Sequence, residues 1–163
     1  MMQVDKWDLL DKEGALQSDL VKFLFEREVK KSLRYQDLVT LLMIEPDRRP
    51  RAAEALGMLA TIIQNNIRET DFMARINDAE FAILLLASKP DSAHIVASRI
   101  MDCIHNYLFP HEKAPRLTVS IGGACFPTTS ASLEASDCLT EARNALAAAK
   151  KRGNSFYLIS PSL

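Results

Sequence analysis

Apolar residues recur with two different periods along this chain, and the switches between the periods set out an order of elements. Residues 16, 20 and 24, joined by Phe23 and Phe25, mark a helix over residues 15–33 whose exposed face carries the charged run 26–31. Residues 38–44 then form an unbroken apolar run of strand length, the pattern of a strand covered on both faces. Glu45-Pro46-Asp47-Arg48-Arg49-Pro50 ends it, because two prolines cannot continue a ladder. Ala52, Leu56, Leu59, Ala60, Ile63 and Ile67 return at helical spacing and predict an amphipathic helix over residues 51–68. Two short apolar runs, 72–76 and 80–85, flank Asn77-Asp78 and predict a hairpin, since both turn residues tolerate positive φ.

The second half repeats the logic. A helix capped by Asp91 runs to about residue 108 with Val96, Ile100, Cys103, Ile104 and Tyr107 inward. Leu117, Val119 and Ile121 alternate with polar residues as a strand, and Gly122-Gly123 interrupts side-chain packing just after it. Leu139, Ala142, Leu146 and Ala149 place a third helix before a stop at Gly153, and residues 156–159 make the last strand. After the first helix the order is βαββαβαβ. Its first six elements have the order of ferredoxin-like sheets, which makes the fold class α/β in the α+β sense, a central and mostly antiparallel sheet with flanking helices.

At 163 residues the chain fits one domain, divided here into a lead-in over residues 1–14 and a folded unit over 15–163. A formal net charge of −1 gives no broad basic field for a nucleic-acid polymer or an anionic membrane, so an anionic ligand must be small and held by a few local arginines. Cys103, Cys125 and Cys138 lack metal-ligand spacing and read as buried free thiols, and with no apolar stretch of membrane-spanning length the expected location is the cytoplasm. His94, His105 and His111 form no i, i+4 metal pair.

Four strings in this order point to a family. Residues 68–81, Arg-Glu-Thr-Asp-Phe-Met-Ala-Arg-Ile-Asn-Asp-Ala-Glu-Phe, resemble the R-x-x-D-x-x-x-R-x-G-G-D-E-F block of GGDEF diguanylate cyclases with unchanged spacing. Val119-Ser120-Ile121-Gly122 resembles the family's V-S-I-G strand, and residues 142–153, with Ala145-Leu146 and Ala149-Lys150, resemble its A-D-x-A-L-Y-x-A-K-x-x-G helix. The resemblance implies a nucleotidyl cyclase palm. It also implies a signature that has decayed to Asn77, Asp78, Ala79, Glu80 and Phe81.

Cyclase chemistry in the family needs a divalent metal on carboxylates and a glycine turn that lets phosphates approach. By the resemblance, one metal carboxylate falls at Met43 and the other at Ala79, neither of which offers a hard oxygen. Asn77 and Asp78 add side chains, one anionic, where the glycines would lie, although they also make a good tight turn. The stretch after Glu45 is shorter than the family's guanine-contacting loop, and the family's N-terminal L-T-G-L-x-N-R motif is absent. The expectation is therefore no enzyme activity, no metal and no cofactor.

What survives is the inhibitory-site motif, Arg68-Glu69-Thr70-Asp71, at which the family binds cyclic di-GMP. A guanidinium can donate two parallel bonds to guanine O6 and N7, and a carboxylate can accept from the opposite edge. The family's spacing adds Arg99, and Arg75 is a further candidate ligand contact. Read without the family, Arg68 and Asp71 are only an i, i+3 surface pair. The expected function is a cyclic di-GMP receptor that acts through an effector protein, with homodimerisation open and no direct membrane insertion. The alternatives are a ligand-free scaffold or dimerisation module, and a residual GTP-binding or cyclase enzyme.

Overall fold

The computed structural model describes residues 37–76, 79–112, 114–126 and 135–159, together with residues 23–24, 26–28, 30–31 and 34–35. Asn77, Asp78, the lead-in 1–14 with Trp7, and the side chain of Cys138 lie outside the described residues. Helical residues among 23–35 fall where the first helix is expected.

Among the described residues five strands and three further helices follow: β1 (Val39–Pro46), α1 (Glu54–Asn65), β2 (Phe72–Arg75), β3 (Phe81–Leu85), α2 (Pro90–Asn106), β4 (Val119–Phe126), α3 (Ala135–Arg152) and β5 (Phe156–Ile159). The sheet order is β2-β3-β1-β4-β5, antiparallel throughout except for the parallel pair β4 and β5. This is the expected α+β architecture, with β1 at the centre, which is why residues 38–44 read as apolar on both faces.

The two faces of β1 build two cores. Leu42 and Ile44 pack with Leu59 and Ile63 of α1 and with Ala97, Ile100 and Ile104 of α2. Val39, Leu41 and Met43 point to the other face and meet Leu139, Ala142 and Leu146 of α3. The period-2 alternation of side chains along a strand thus sorts one apolar run into two layers.

Three local expectations change. The strand expected over 117–121 runs on to Phe126, straight through Gly122 and Gly123. Gly122 sits inside the strand because α3 crosses it closely, so that a Cβ there would lie 1.9 Å from the Leu146 nitrogen, whereas a Cβ on Gly123 would meet the Leu42 side chain of β1 at 2.6 Å. The cap of α2 is Lys89 with Pro90 at the first turn, not Asp91, because proline's fixed φ suits that position. The buried stripe of α2 is Ala93, Ala97, Ile100 and Ile104, leaving Cys103 and Tyr107 exposed. The small alanines let the helix approach the sheet, which the larger apolar residues had masked in the sequence. Cys125 is buried as expected.

The exit of β1 is clamped by two carboxylates. Asp47 accepts from Thr118 Oγ1 and Ser120 Oγ, both at 2.5 Å, and from the Asn154 amide at 2.8 Å. Glu112 is buried, pairs with Arg48 Nη1 at 2.6 Å, and accepts the backbone N–H groups of Arg51 and Ala52. Burial pushes the Glu112 carboxyl up, but Arg48 and those amides outweigh it and hold the group below the ordinary value. No helix among the described residues is long and apolar enough to cross a membrane.

Candidate functional site

α1 stops at Asn65, three residues earlier than its apolar pattern suggests, and Asn66 closes it by donating Nδ2 to Ile62 O at 2.7 Å. Arg68 to Asp71 is consequently a turn and not the end of a helix, with the Asp71 amide donating to Arg68 O at 3.0 Å. The Asp71 carboxylate closes the turn from inside. Oδ2 accepts from Arg68 N at 2.9 Å and Arg68 Nε at 3.3 Å, while Oδ1 accepts from Arg68 Nη2 at 3.3 Å and Leu86 N at 3.1 Å. These four bonds match the roughly four acceptor positions of a carboxylate.

The two side chains of the pair differ sharply in exposure. The Arg68 side chain is 59% exposed, that of Asp71 only 2%. Asp71 is inside because the turn needs its oxygens for the amides of two chain segments, a demand that a four-residue motif does not display. Arg68 Nη2 also donates to Leu86 O. Its Nη1 makes no hydrogen bond among the described residues.

Arg99 lies on the exposed flank of α2, next to the buried Ile100, and its Nη2 donates to Asn66 O at 2.6 Å. That carbonyl belongs to the end of α1, where unpaired carbonyls concentrate negative potential. Arg68, Asp71 and Arg99 line one cavity of about 340 Å³, walled by Ser92, Ile95 and Val96 of α2. The motif and the third arginine, 28 positions further on than Asp71, are therefore brought together. Arg75 does not line this cavity; it is half-buried at the hairpin end of β2, in register with Phe81. Sequence reading missed Asn66 and Ile95, the first because its role is played by a backbone carbonyl and the second because an exposed isoleucine breaks the helical pattern.

The positions at which the resemblance expects metal carboxylates lie elsewhere. Met43 is fully buried in the core under α3, and Ala79 presents only a methyl group. Glu45 and the buried Glu80 face one another across the β1–β3 register, share a hydrogen bond, and are each paired with a cation of α3: Glu45 with Lys150, Glu80 with Arg143 at 3.3 Å. Burial and the neighbouring Glu45 carboxyl push Glu80 above its ordinary value against the pull of Arg143. At Glu45 burial pushes up as well, but the Lys150 ammonium and the bond with Glu80 win, and the carboxyl is held low. A thioether, a methyl and two carboxylates already committed to cations are a poor donor set for magnesium. Phe81 opens β3 in the core.

The family model described as diguanylate cyclase, GGDEF domain, matches residues 50–155. Among solved structures, the GGDEF domain of FimX from Pseudomonas aeruginosa is 24% identical, with 87% of this chain and 91% of that one covered at a TM-score of 0.73. The active GGEEF domain of a diguanylate cyclase from Vibrio cholerae is 18% identical, over 83% and 92% of the two chains, with a TM-score of 0.73. The GGDEF domain of DgcB from Caulobacter crescentus, solved in complex with c-di-GMP, is 15% identical over 81% and 84%, with a TM-score of 0.66. No curated protein sequence matches the chain. The similarity to these structures shows the fold, and the family match, covering well over half of the chain from α1 to the end of α3 with the residues 68–81 block inside it, shows that this chain belongs to the GGDEF family of cyclic di-GMP signalling.

Proposed function

We propose that the chain is a catalytically silent GGDEF domain that serves as a cytoplasmic receptor for cyclic di-GMP. The observation that carries this reading is the single cavity shared by Arg68, Asp71 and Arg99. Two guanidiniums beside a pocket at the small end of the usual ~300–1,000 Å³ range suit one guanine and its phosphate. Arg68 offers Nη1 directly, and releasing Leu86 O would free Nη2 for a second, parallel bond. Asp71 contributes by holding the Arg68 fork in place. Arg99 swings from Asn66 O to a phosphate. Loss of catalysis follows from the donor set at Met43, Ala79, Glu45 and Glu80. The output passes to an effector protein.

One observation favours a second reading, a ligand-free scaffold: Arg68 and Arg99 each already hold a backbone carbonyl. Calorimetry separates the two. The receptor binds cyclic di-GMP and ignores GTP with magnesium, whereas a scaffold binds neither, and heat from GTP with magnesium would restore the enzyme reading.

A further inference from the structure

The cavity of Arg68 and Arg99 has a neighbour along α2. This second cavity, of about 440 Å³, is lined by His94, Ile95, Ser98, Arg99, Asp102 and Cys103. Ile95 and Arg99 line both cavities. Positions 95, 99 and 102 are spaced i, i+4 and i+7, so on a helix the three residues stand in one row, and all three are exposed. Ile95, 64% exposed, offers apolar surface between the two cavities, and Arg99 is the cation at their junction.

Cyclic di-GMP makes a demand that the first cavity meets only in part. The ligand carries two guanines, and each presents two donors, N1–H and N2–H, on its Watson–Crick edge. Among the described residues the one carboxylate lining the first cavity is Asp71. Its side chain is 2% exposed, and its oxygens already accept from the Arg68 and Leu86 amides and from the Arg68 guanidinium. Arg68 itself, being a donor, can read only the O6 and N7 edge. Asp102 is placed differently. It is exposed in the second cavity and makes no hydrogen bond or ion pair among the described residues, not even with Arg99 one turn back. The His94 ring in the same cavity is held edge-on to Phe156, with ring centres 4.8 Å apart, and Cys103 Sγ faces Asn66 Oδ1 at 3.9 Å. Asp102 is therefore the acceptor left open to a ligand.

We infer, resting on the receptor reading given above, that one cyclic di-GMP lies across Arg99 with a guanine in each cavity, and that Asp102 reads the second guanine. The first cavity takes one guanine and its phosphate. The ribose-phosphate ring that joins the bases passes over Ile95 and Arg99, where the guanidinium meets phosphate. Asp102 accepts N1–H and N2–H of the second guanine. Adenine cannot supply that pair, because its N1 is an acceptor and it has no 2-amino group, so Asp102 sets the choice of guanine at that end. The sign of its effect is diagnostic. A solvated carboxylate three residues from Arg99 repels the ligand's phosphates, so removing it would tighten binding unless it holds the base.

Calorimetry on the full chain tests this with the parent, Arg68→Ala and Asp102→Ala, each titrated with cyclic di-GMP and with 3′,3′-cyclic GMP-AMP, which has one guanine and one adenine. Asp102→Ala should bind cyclic di-GMP about tenfold to a hundredfold more weakly than the parent, the range of a bidentate base contact. The parent should prefer cyclic di-GMP to the mixed dinucleotide by a similar factor, since either orientation of the latter leaves one end without its guanine. Asp102→Ala should bind the two ligands alike. The side chain is exposed, so an unchanged thermal midpoint will show that the fold persists. Equal or tighter binding of cyclic di-GMP by Asp102→Ala, with Arg68→Ala still weakened, overturns this inference and leaves the receptor reading standing. So does a parent that does not distinguish the two ligands. Absence of binding to the parent overturns both.

Discussion

Replacing Asp71 should cost this protein more stability than replacing Arg68, although the two are partners in one ion pair. The Arg68 side chain is 59% exposed, so its loss removes a screened pair worth at most about 1 kcal/mol. Asp71→Ala instead strips the acceptor from the Arg68 and Leu86 amides inside a turn that bridges the end of α1 and the end of β3. Two backbone donors left without partners, one next to partial water access, cost about 1–3 kcal/mol. For a chain of this size that corresponds to roughly 3–10 °C in Tm. Asp71→Asn keeps one acceptor oxygen and turns an amide donor toward the other pair of N–H groups, so about half the loss should remain. Urea denaturation of the three variants, with unchanged m, measures all of this. Asp71→Ala within about 0.5 kcal/mol of the parent, or less damaging than Arg68→Ala, would refute the assignment of Asp71 as the brace of the turn.

Gly122→Ala should prevent stable folding or cost about 3 kcal/mol or more, because the added carbon meets the α3 backbone and not a side chain that can rotate away; soluble yield and thermal midpoint report it. Glu112→Gln should lose about 1–3 kcal/mol at pH 7. The Glu112 carboxyl is held below its ordinary 4.5, so its stabilisation is present above that pH and is lost as pH falls through the folded value. The gap between parent and variant in an acid titration should accordingly close below pH 4.5, and a constant gap would contradict the ion-pair account. Ala79→Asp alone should yield no cyclic di-GMP from GTP by mass spectrometry, since Met43 remains and Glu45 and Glu80 stay bound to α3; product would show that the site is closer to function than its donors suggest.

The sheet was legible because β1 is central and its apolar run has no alternative reading, and the hairpin and helices followed from turn residues and periodicity. What stayed hidden depended on contacts far apart in sequence. Glu112 looks like any loop glutamate until Arg48 and the Arg51 amide are placed over it, and Asp47 is ordinary until β4 and the α3–β5 turn arrive. Gly122 read as a strand end because nothing local says that a helix backbone will cross it. The stripe of α2 was misphased for a related reason: alanines weigh little in a hydrophobic pattern, yet Ala93 and Ala97 face the core while Cys103 faces solvent. At the candidate site the motif and spacing located Arg68 and Arg99 on one cavity. The burial of Asp71 and the parking of Arg99 on Asn66 are products of the turn and could be seen only in three dimensions.

The central claim is that Arg68 and Arg99 together hold cyclic di-GMP, and the measurement that bears on it most directly is a calorimetric titration of cyclic di-GMP into the parent, Arg68→Ala and Arg99→Ala side by side. The account predicts saturable binding to the parent, weakened by about 1–3 kcal/mol in Arg68→Ala, with a smaller salt dependence in Arg99→Ala because one cation has left the site. Absence of heat with the parent, or equal affinity across all three proteins, would contradict it.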